Sequence, residues 1–164
     1  MGCASSITTP YTQEETDAEL AKFVPLLPVA ELTGGMIKFR GANGFFNPNG
    51  IIDSNWLQGR ISMEECTNAI DYINRRTAYT QIGLRKLCTP SDLKIREQMR
   101  LNAGKGAVDD LNKRYSLIKF NYQPTAEIIQ INMSYTTDPT IQAIGRMRPI
   151  VANATVTLLY ISFP

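Results

Sequence analysis

Apolar residues recur at Cys66, Ala69, Ile70 and Ile73, the i, i+3, i+4, i+7 spacing of one buried helical stripe. Ser62-Met63-Glu64-Glu65 stands immediately before it. That is a capping box, in which the Ser62 hydroxyl accepts from the Glu65 amide and the Glu65 carboxylate reaches back. Cys66 belongs to the stripe and reads as core rather than as a reactive thiol. Thr89-Pro90-Ser91-Asp92 marks the next helix start, with Pro90 suited to the first turn. Its apolar contacts, Leu93, Met99 and Leu101, resume after Gly104-Lys105-Gly106 as Val108, Leu111, Tyr115 and Ile118. The stretch reads as one kinked helix or two helices in tandem; glycine costs about 1 kcal/mol relative to alanine inside a helix, so a break is expected there.

Elsewhere the period is two. Ile37 and Phe39 alternate with Met36, Lys38 and Arg40 in a short strand released by Gly34-Gly35. Ile118–Tyr122 reads as a strand, Glu127–Tyr135 carries Ile129, Ile131, Met133 and Tyr135 on one face, and Ala154–Phe163 alternates throughout. The last two are expected to pair antiparallel across a long connection, 136–153. The loop Gly41–Gly50 contains Asn-Gly twice, a strong turn signal, and Phe45, Phe46, Ile51, Ile52, Trp56 and Leu57 would pin it onto the core. Residues 14–22 suggest a short helical turn. Phe23–Leu32, punctuated by Pro25 and Pro28, reads as extended chain laid over the core. The class is α+β: a small antiparallel sheet packed against two or three helices. Residues 1–13, Ser/Thr-rich, read as a flexible tail, and 14–164 as one domain.

The tail carries the sharpest functional signal. Met1-Gly2-Cys3-Ala4-Ser5-Ser6 fits the N-myristoylation pattern M-G-x-x-x-[ST]. Gly2 would supply the bare amine after removal of Met1, and Cys3 the thiol for palmitoylation. One myristoyl chain holds a protein weakly, whereas two acyl chains hold it stably. The expectation is a protein at the cytoplasmic face of a membrane. No apolar run approaches the ~18 residues of a spanning helix, and the start lacks the basic and apolar regions of a secretory signal.

Composition narrows the chemistry. The chain has no histidine, which excludes Ser-His-Asp and Cys-His catalysis and His-ligated metal sites. Its three cysteines form no C-x-x-C pair, so cysteine-only zinc binding is excluded and no cofactor is implied. The net charge of +2 is uneven: Arg75 to Lys119 holds eleven bases and four acids. Within that stretch Arg75, Arg76, Arg85, Lys86, Lys94, Arg96 and Arg100 are candidates to face an anionic leaflet, at about 1 kcal/mol each. No aromatic-basic interleaving supports nucleic acid. Asp109-Asp110 and Glu64-Glu65 sit on helices where neighbours diverge, so they form no acid–base pair.

One stretch resembles a known family. Trp56-Leu57-Gln58-Gly59-Arg60-Ile61-Ser62-Met63-Glu64-Glu65-Cys66, followed by Ala69-Ile70-Asp71-Tyr72-Ile73-Asn74, is similar to the L-x-G-x-I-x-x-E-E-F … I-x-x-I-N stretch of the Golgin subfamily A member 7/Erf4 family, which includes the cysteine-rich hydrophobic domain proteins. Leu111-Asn112-Lys113-Arg114-Tyr115, Thr137-Asp138-Pro139 and the terminal Thr157–Pro164 extend the resemblance over about 36–164. It implies a non-catalytic, acylated accessory subunit of a DHHC-type protein S-acyltransferase, an integral membrane enzyme, at the Golgi or plasma membrane. Family members carry a cysteine cluster or apolar stretch between the two helices. Here that place, Thr77–Thr89, offers Cys88 alone as a second acyl acceptor, and the Met1–Ser6 motif would move the anchor to the end of the fold.

The leading expectation is a dually acylated adaptor that acts by binding a protein partner, through the loop 43–57 or the connection 136–153. A structural or assembly component with an acylated N-terminus, such as a viral or cytoskeletal coat protein, is the alternative. An enzyme is the third reading and would need a thiol or carboxylate to carry its chemistry.

Overall fold

Among the described residues, four antiparallel strands form a sheet in the order β1-β2-β4-β3. A computed structural model describes residues 13–79, 90–132 and 151–164. Helix α1 spans Gln13–Phe23, β1 Glu31–Thr33, β2 Met36–Ala42, α2 Met63–Tyr79, α3 Pro90–Arg114, β3 Lys119–Asn132 and β4 Val151–Ser162. This is the expected α+β class. Single 3-10 turns at Val24–Leu26 and Ser54–Leu57 punctuate the connections.

Register decides what each face of the sheet meets. Ile37 pairs with Ile161 and Ile161 with Phe120; Phe39 pairs with Leu159 and Leu159 with Tyr122. These two rows point to the same side, and all six side chains are buried. Cys66, Ala69, Ile70 and Ile73 of α2 close over them with Ala107, Val108 and Leu111 of α3. On the alternate face the rows Lys38–Tyr160–Asn121 and Arg40–Leu158–Gln123 are exposed or half-buried, whereas the Ala42–Val156 pair is buried. Burying a Leu, Ile or Phe contributes roughly 1.5–3 kcal/mol, so the two rows and the α2 stripe are the main source of stability.

β3 is longer than expected. The strand read at Ile118–Tyr122 and the described part of the one read at Glu127–Tyr135 form a single strand from Lys119 to Asn132, because three residues between Pro124 and Ile128 bulge opposite Val156 alone; Met133–Tyr135 lie outside the described residues. The Thr125 hydroxyl holds the bulge, donating to the Val156 carbonyl at 2.8 Å and accepting from the Glu127 amide at 3.2 Å. Glu127 then forms an ion pair with Arg40 on β2. Beyond the bulge, Ile129, Ile131 and Ala154 pack with Leu20, Phe23, Val24 and Leu27, so α1 and the turn after it make a second, smaller core.

The capping box forms as its sequence dictates: the Ser62 amide donates to Glu65 Oε2 at 3.0 Å and the Glu65 amide to Ser62 Oγ at 3.1 Å. Those Ser62 contacts hold the Glu65 carboxyl below its ordinary value, the bond from the Ser62 backbone first.

The expected helix break is corrected. α3 runs unbroken through Gly104 and Gly106. A Cβ on Gly104 would lie 2.6 Å from the Tyr122 ring, and one on Gly106 would lie 3.1 Å from an Arg76 guanidinium nitrogen. The glycines let the helix sit close on β3 and beside α2; they do not end it. The expectation of extended chain over Phe23–Leu32 is corrected in part, because Phe23 ends α1 and Val24–Leu26 is a 3-10 turn. Phe23, Val24, Leu27 and Ala30 are buried, but Leu26, Val29 and Leu32 are exposed.

Asparagine side chains tie the connections to this frame. Asn74 is 1% exposed and brackets Phe46: its Oδ1 accepts from the Phe46 amide at 2.8 Å and its Nδ2 donates to the Phe46 carbonyl at 2.7 Å. Phe46, Ile51 and Leu57 are thereby buried, as the loop's apolar residues predict, while Phe45 and Trp56 are half-buried and Ile52 is exposed.

Candidate functional site

The expected lipidation residues Gly2, Cys3 and Cys88 lie outside the described residues, as do Arg85 and Lys86. The remaining candidate bases are divided among different surroundings. Arg75 on α2 donates to Asp71 Oδ2 at 2.7 Å and lies 3.5 Å from Asp17 on α1. Arg76, one residue on, turns to α3 and pairs with Asp110 at 2.7 Å. Lys94 is exposed on α3, Arg96 lies on the same helix, and Arg100 is half-buried beside the sheet. The first two bases therefore meet acids rather than a common open surface.

Arg76 anchors the most concentrated polar cluster among the described residues. Its Nη1 donates to Asp110 Oδ2 and to Tyr72 Oη, each at 2.7 Å. The Tyr72 hydroxyl donates to the same Asp110 oxygen at 2.9 Å. The guanidinium carbons of Arg76 and Arg114 both sit 5.6 Å from the Tyr72 ring centroid, a cation–π distance. The Arg76 hydrogen bond, then that of Tyr72, holds Asp110 below the usual carboxylate range; the Asp110 bond in turn raises Arg76. A carboxylate shared by a guanidinium and a phenol is a helix–helix tie and a poor proton acceptor at neutral pH. Half-exposed pairs of this kind contribute about 0–1 kcal/mol.

A small cavity lies between α3 and the sheet, lined by Asn43, Gly44, Arg100, Tyr122, Thr155 and Thr157 among others, with a volume near 50 Å³. That is the scale of a few water molecules. Its polar groups are largely engaged: the Gly44 amide donates to Thr157 Oγ1 at 3.0 Å, and the Thr155 amide to Asn43 Oδ1 at 2.9 Å. Burial pushes the Tyr122 phenol up to about 12 and the Cys66 thiol up to about 12. Neither is poised to exchange a proton near neutrality. Among the described residues no group of three or more His, Cys, Asp or Glu could hold a metal ion, and no helix is long and apolar enough to cross a membrane.

The surface feature that the sequence pattern did not single out is apolar. Leu26 is 65% exposed, Val29 51%, Leu32 48% and Ile52 70%. The Ala30 amide donates to the Gly50 carbonyl at 2.8 Å, which brings Ile52's loop against the Leu26–Leu32 segment. The only sequence signal for this edge is that apolar residues outnumber the inward positions a proline-punctuated segment can supply.

No family model, curated protein or solved structure matches the chain.

Proposed function

We infer that this protein is a membrane-tethered, non-catalytic adaptor or accessory subunit, anchored by a myristoyl amide at Gly2 and a palmitoyl thioester at Cys3. The hexapeptide Met1-Gly2-Cys3-Ala4-Ser5-Ser6 carries this reading, because amine, thiol and Ser6 stand at the spacing that dual acylation needs. The reading requires Gly2 to become the N-terminal residue when Met1 is removed. The resemblance around Leu57–Asn74 makes a DHHC-type S-acyltransferase the partner class. The described titratable groups support a binding role: Asp110 is committed to an ion pair, and Cys66 and Tyr122 are pushed far from neutrality by burial.

Intact-mass analysis of protein made in eukaryotic cells, before and after hydroxylamine, tests the anchor. A myristoyl increment that survives hydroxylamine and a palmitoyl increment that does not are expected. Gly2→Ala should move a reporter fusion from membrane to cytosol, and Cys3→Ser should weaken retention while keeping the amide-linked lipid. A Gly2→Ala fusion that stays on membranes overturns the dual-acyl account.

A further inference from the structure

The segment after α1 is fixed in place with its apolar side chains turned outward. The buried Asn47 donates from Nδ2 to the Leu27 carbonyl at 3.1 Å, and the Ala30 amide donates to Gly50 at 2.8 Å. Leu27 and Ala30 are thereby held inward, 4% and 2% exposed. Their orientation aims Leu26, Val29 and Leu32 away from the core, with Ile52 beside them across the Ala30–Gly50 bond. Four exposed large apolar side chains on two segments joined by the Ala30–Gly50 bond are a feature of the kind that marks an interaction surface.

Part of the backbone here offers no free donor to an apolar environment. An unbonded N–H is costly to carry into lipid. Pro25 and Pro28 have no N–H, the Leu27 amide donates to Val24 at 3.1 Å, and the Ala30 amide is bonded as described. The exposed charges nearest in sequence, Lys22, Glu31 and Asp53, are of mixed sign, so charge does not draw this edge to an anionic surface.

Its position relative to the tail selects the occupant. α1 starts at Gln13, so twelve residues precede it, with a reach of up to about 40 Å. α1 itself is about 16 Å long and runs directly into the apolar segment. On the reading of Gly2 and Cys3 as acylated, the lipid would hold a bilayer within that span of α1 and so raise the local concentration of bilayer at the edge.

We propose that Leu26, Val29, Leu32 and Ile52 form a second membrane contact, inserting into the bilayer interface beside the N-terminal acyl chains. The contact rests on the reading of the chain as membrane-tethered, and it orients the fold on the membrane where lipid alone would leave it free to tumble. It is apolar and so insensitive to salt, unlike attraction through the bases of α3.

The test is flotation of the full chain with phosphatidylcholine vesicles, with and without acylation. Leu26→Ser/Val29→Ser/Ile52→Ser should reduce partitioning by at least roughly tenfold in both forms, and wild-type partitioning should change little between about 0.05 and 0.5 M salt. A single Ile52→Trp substitution, independent of how the triple variant folds, should give a blue-shifted emission component quenched by brominated lipid. Equal partitioning of wild type and triple variant overturns the proposal, as does an Ile52→Trp emission that vesicles leave unchanged. Membrane loss of the triple variant in cells, without vesicle binding by the wild type, assigns the edge to a protein partner instead. A concentration-dependent dimer abolished by the same substitutions assigns it to a second copy. If mass analysis finds no lipid while the vesicle results hold, the anchor reading fails and the edge stands; if Gly2→Ala releases the protein but the triple variant binds as wild type, the reverse is true.

Discussion

Asn74 closes a two-way hydrogen-bonded ring with the main chain of Phe46, accepting at 2.8 Å and donating at 2.7 Å, and both residues are buried. The side chain acts as a one-residue strand. It lets a loop 28 residues earlier in sequence run through the core without orphaned polar groups. It also places the Phe46 ring edge-on to Phe39 and Tyr122, with centroids 6.5 and 6.1 Å away.

Removing one member of such a ring leaves the other's groups desolvated and unpaired, a larger loss than the bonds themselves. Asn74→Ala should therefore destabilise the fold by about 2–4 kcal/mol, read as the shift in the urea midpoint. Asn74→Asp keeps the acceptor but sets an oxygen against the Phe46 carbonyl, and it should cost at least as much. A loss under about 1 kcal/mol for both would show that water replaces the amide.

The two glycines of α3 make different predictions from similar sequence. Gly104→Ala places a methyl 2.6 Å from the Tyr122 ring, which is pinned in the core. It should destabilise by about 1–3 kcal/mol despite alanine's better helix propensity. Gly106→Ala meets Arg76 Nη2 at 3.1 Å, a side-chain end that can shift by a few tenths of an ångström while Nη1 keeps Asp110, and it should cost less than Gly104→Ala, between a small loss and a gain of about 1 kcal/mol. Thermal unfolding of the two variants beside the parent decides this; equal effects would mean the spacing of α3 from the sheet is not set by Gly104.

These glycines also show where the sequence stops speaking. Ser62 and Glu65 are legible as a capping box because both partners lie within one turn. The α2 stripe and the alternation in β2 and β4 are legible because period alone decides which side is buried. Gly104 is misread as a break because its reason, Tyr122, arrives from another element. Arg75 and Arg76 look alike in the chain, yet meet Asp17 and Asp71 in one case and Asp110 in the other. Leu26 and Val29 face outward because Asn47 and Gly50, about 20 residues on, hold Leu27 and Ala30 inward. The lipidation motif is the converse case: it is wholly local, and the sequence is its entire evidence.

Two buried groups should make stability fall at alkaline pH. In the unfolded chain Cys66 and Tyr122 ionise near 9.0 and 10.0; in the fold burial pushes both up to about 12. Above the lower values the unfolded state binds fewer protons than the native one, so stability falls as pH rises. Their contribution is complete below about pH 9 and is lost progressively toward about 12. Urea midpoints should thus decline from about pH 9 upward, and Cys66→Ala should move the onset to about pH 10. The Cys66 thiol should also resist alkylation until the protein unfolds.

The outer strand β3 carries its own guard. Asn112, near the end of α3, accepts from the Phe120 amide at 2.8 Å and donates to the Phe120 carbonyl at 2.9 Å. Those groups cannot belong to the β4 ladder while bound to Asn112, so they lie on the open side of the strand, where another chain would pair. Four residues on, Pro124 has no N–H to offer, and the bulge after it breaks the ladder that an incoming strand would need. Asn112→Ala should cost about 1–3 kcal/mol for the unpaired groups. It should also expose one outward donor–acceptor pair beside Lys119, giving concentration-dependent association in light scattering or sedimentation. Asn112→Asp keeps the bond from the Phe120 amide and gives up only the one to the carbonyl, so its association should fall between parent and alanine variant. If Asn112→Ala loses stability yet stays monomeric at the same concentrations, Pro124 and the bulge suffice to protect the edge, and Asn112 serves only to fix the junction between α3 and β3.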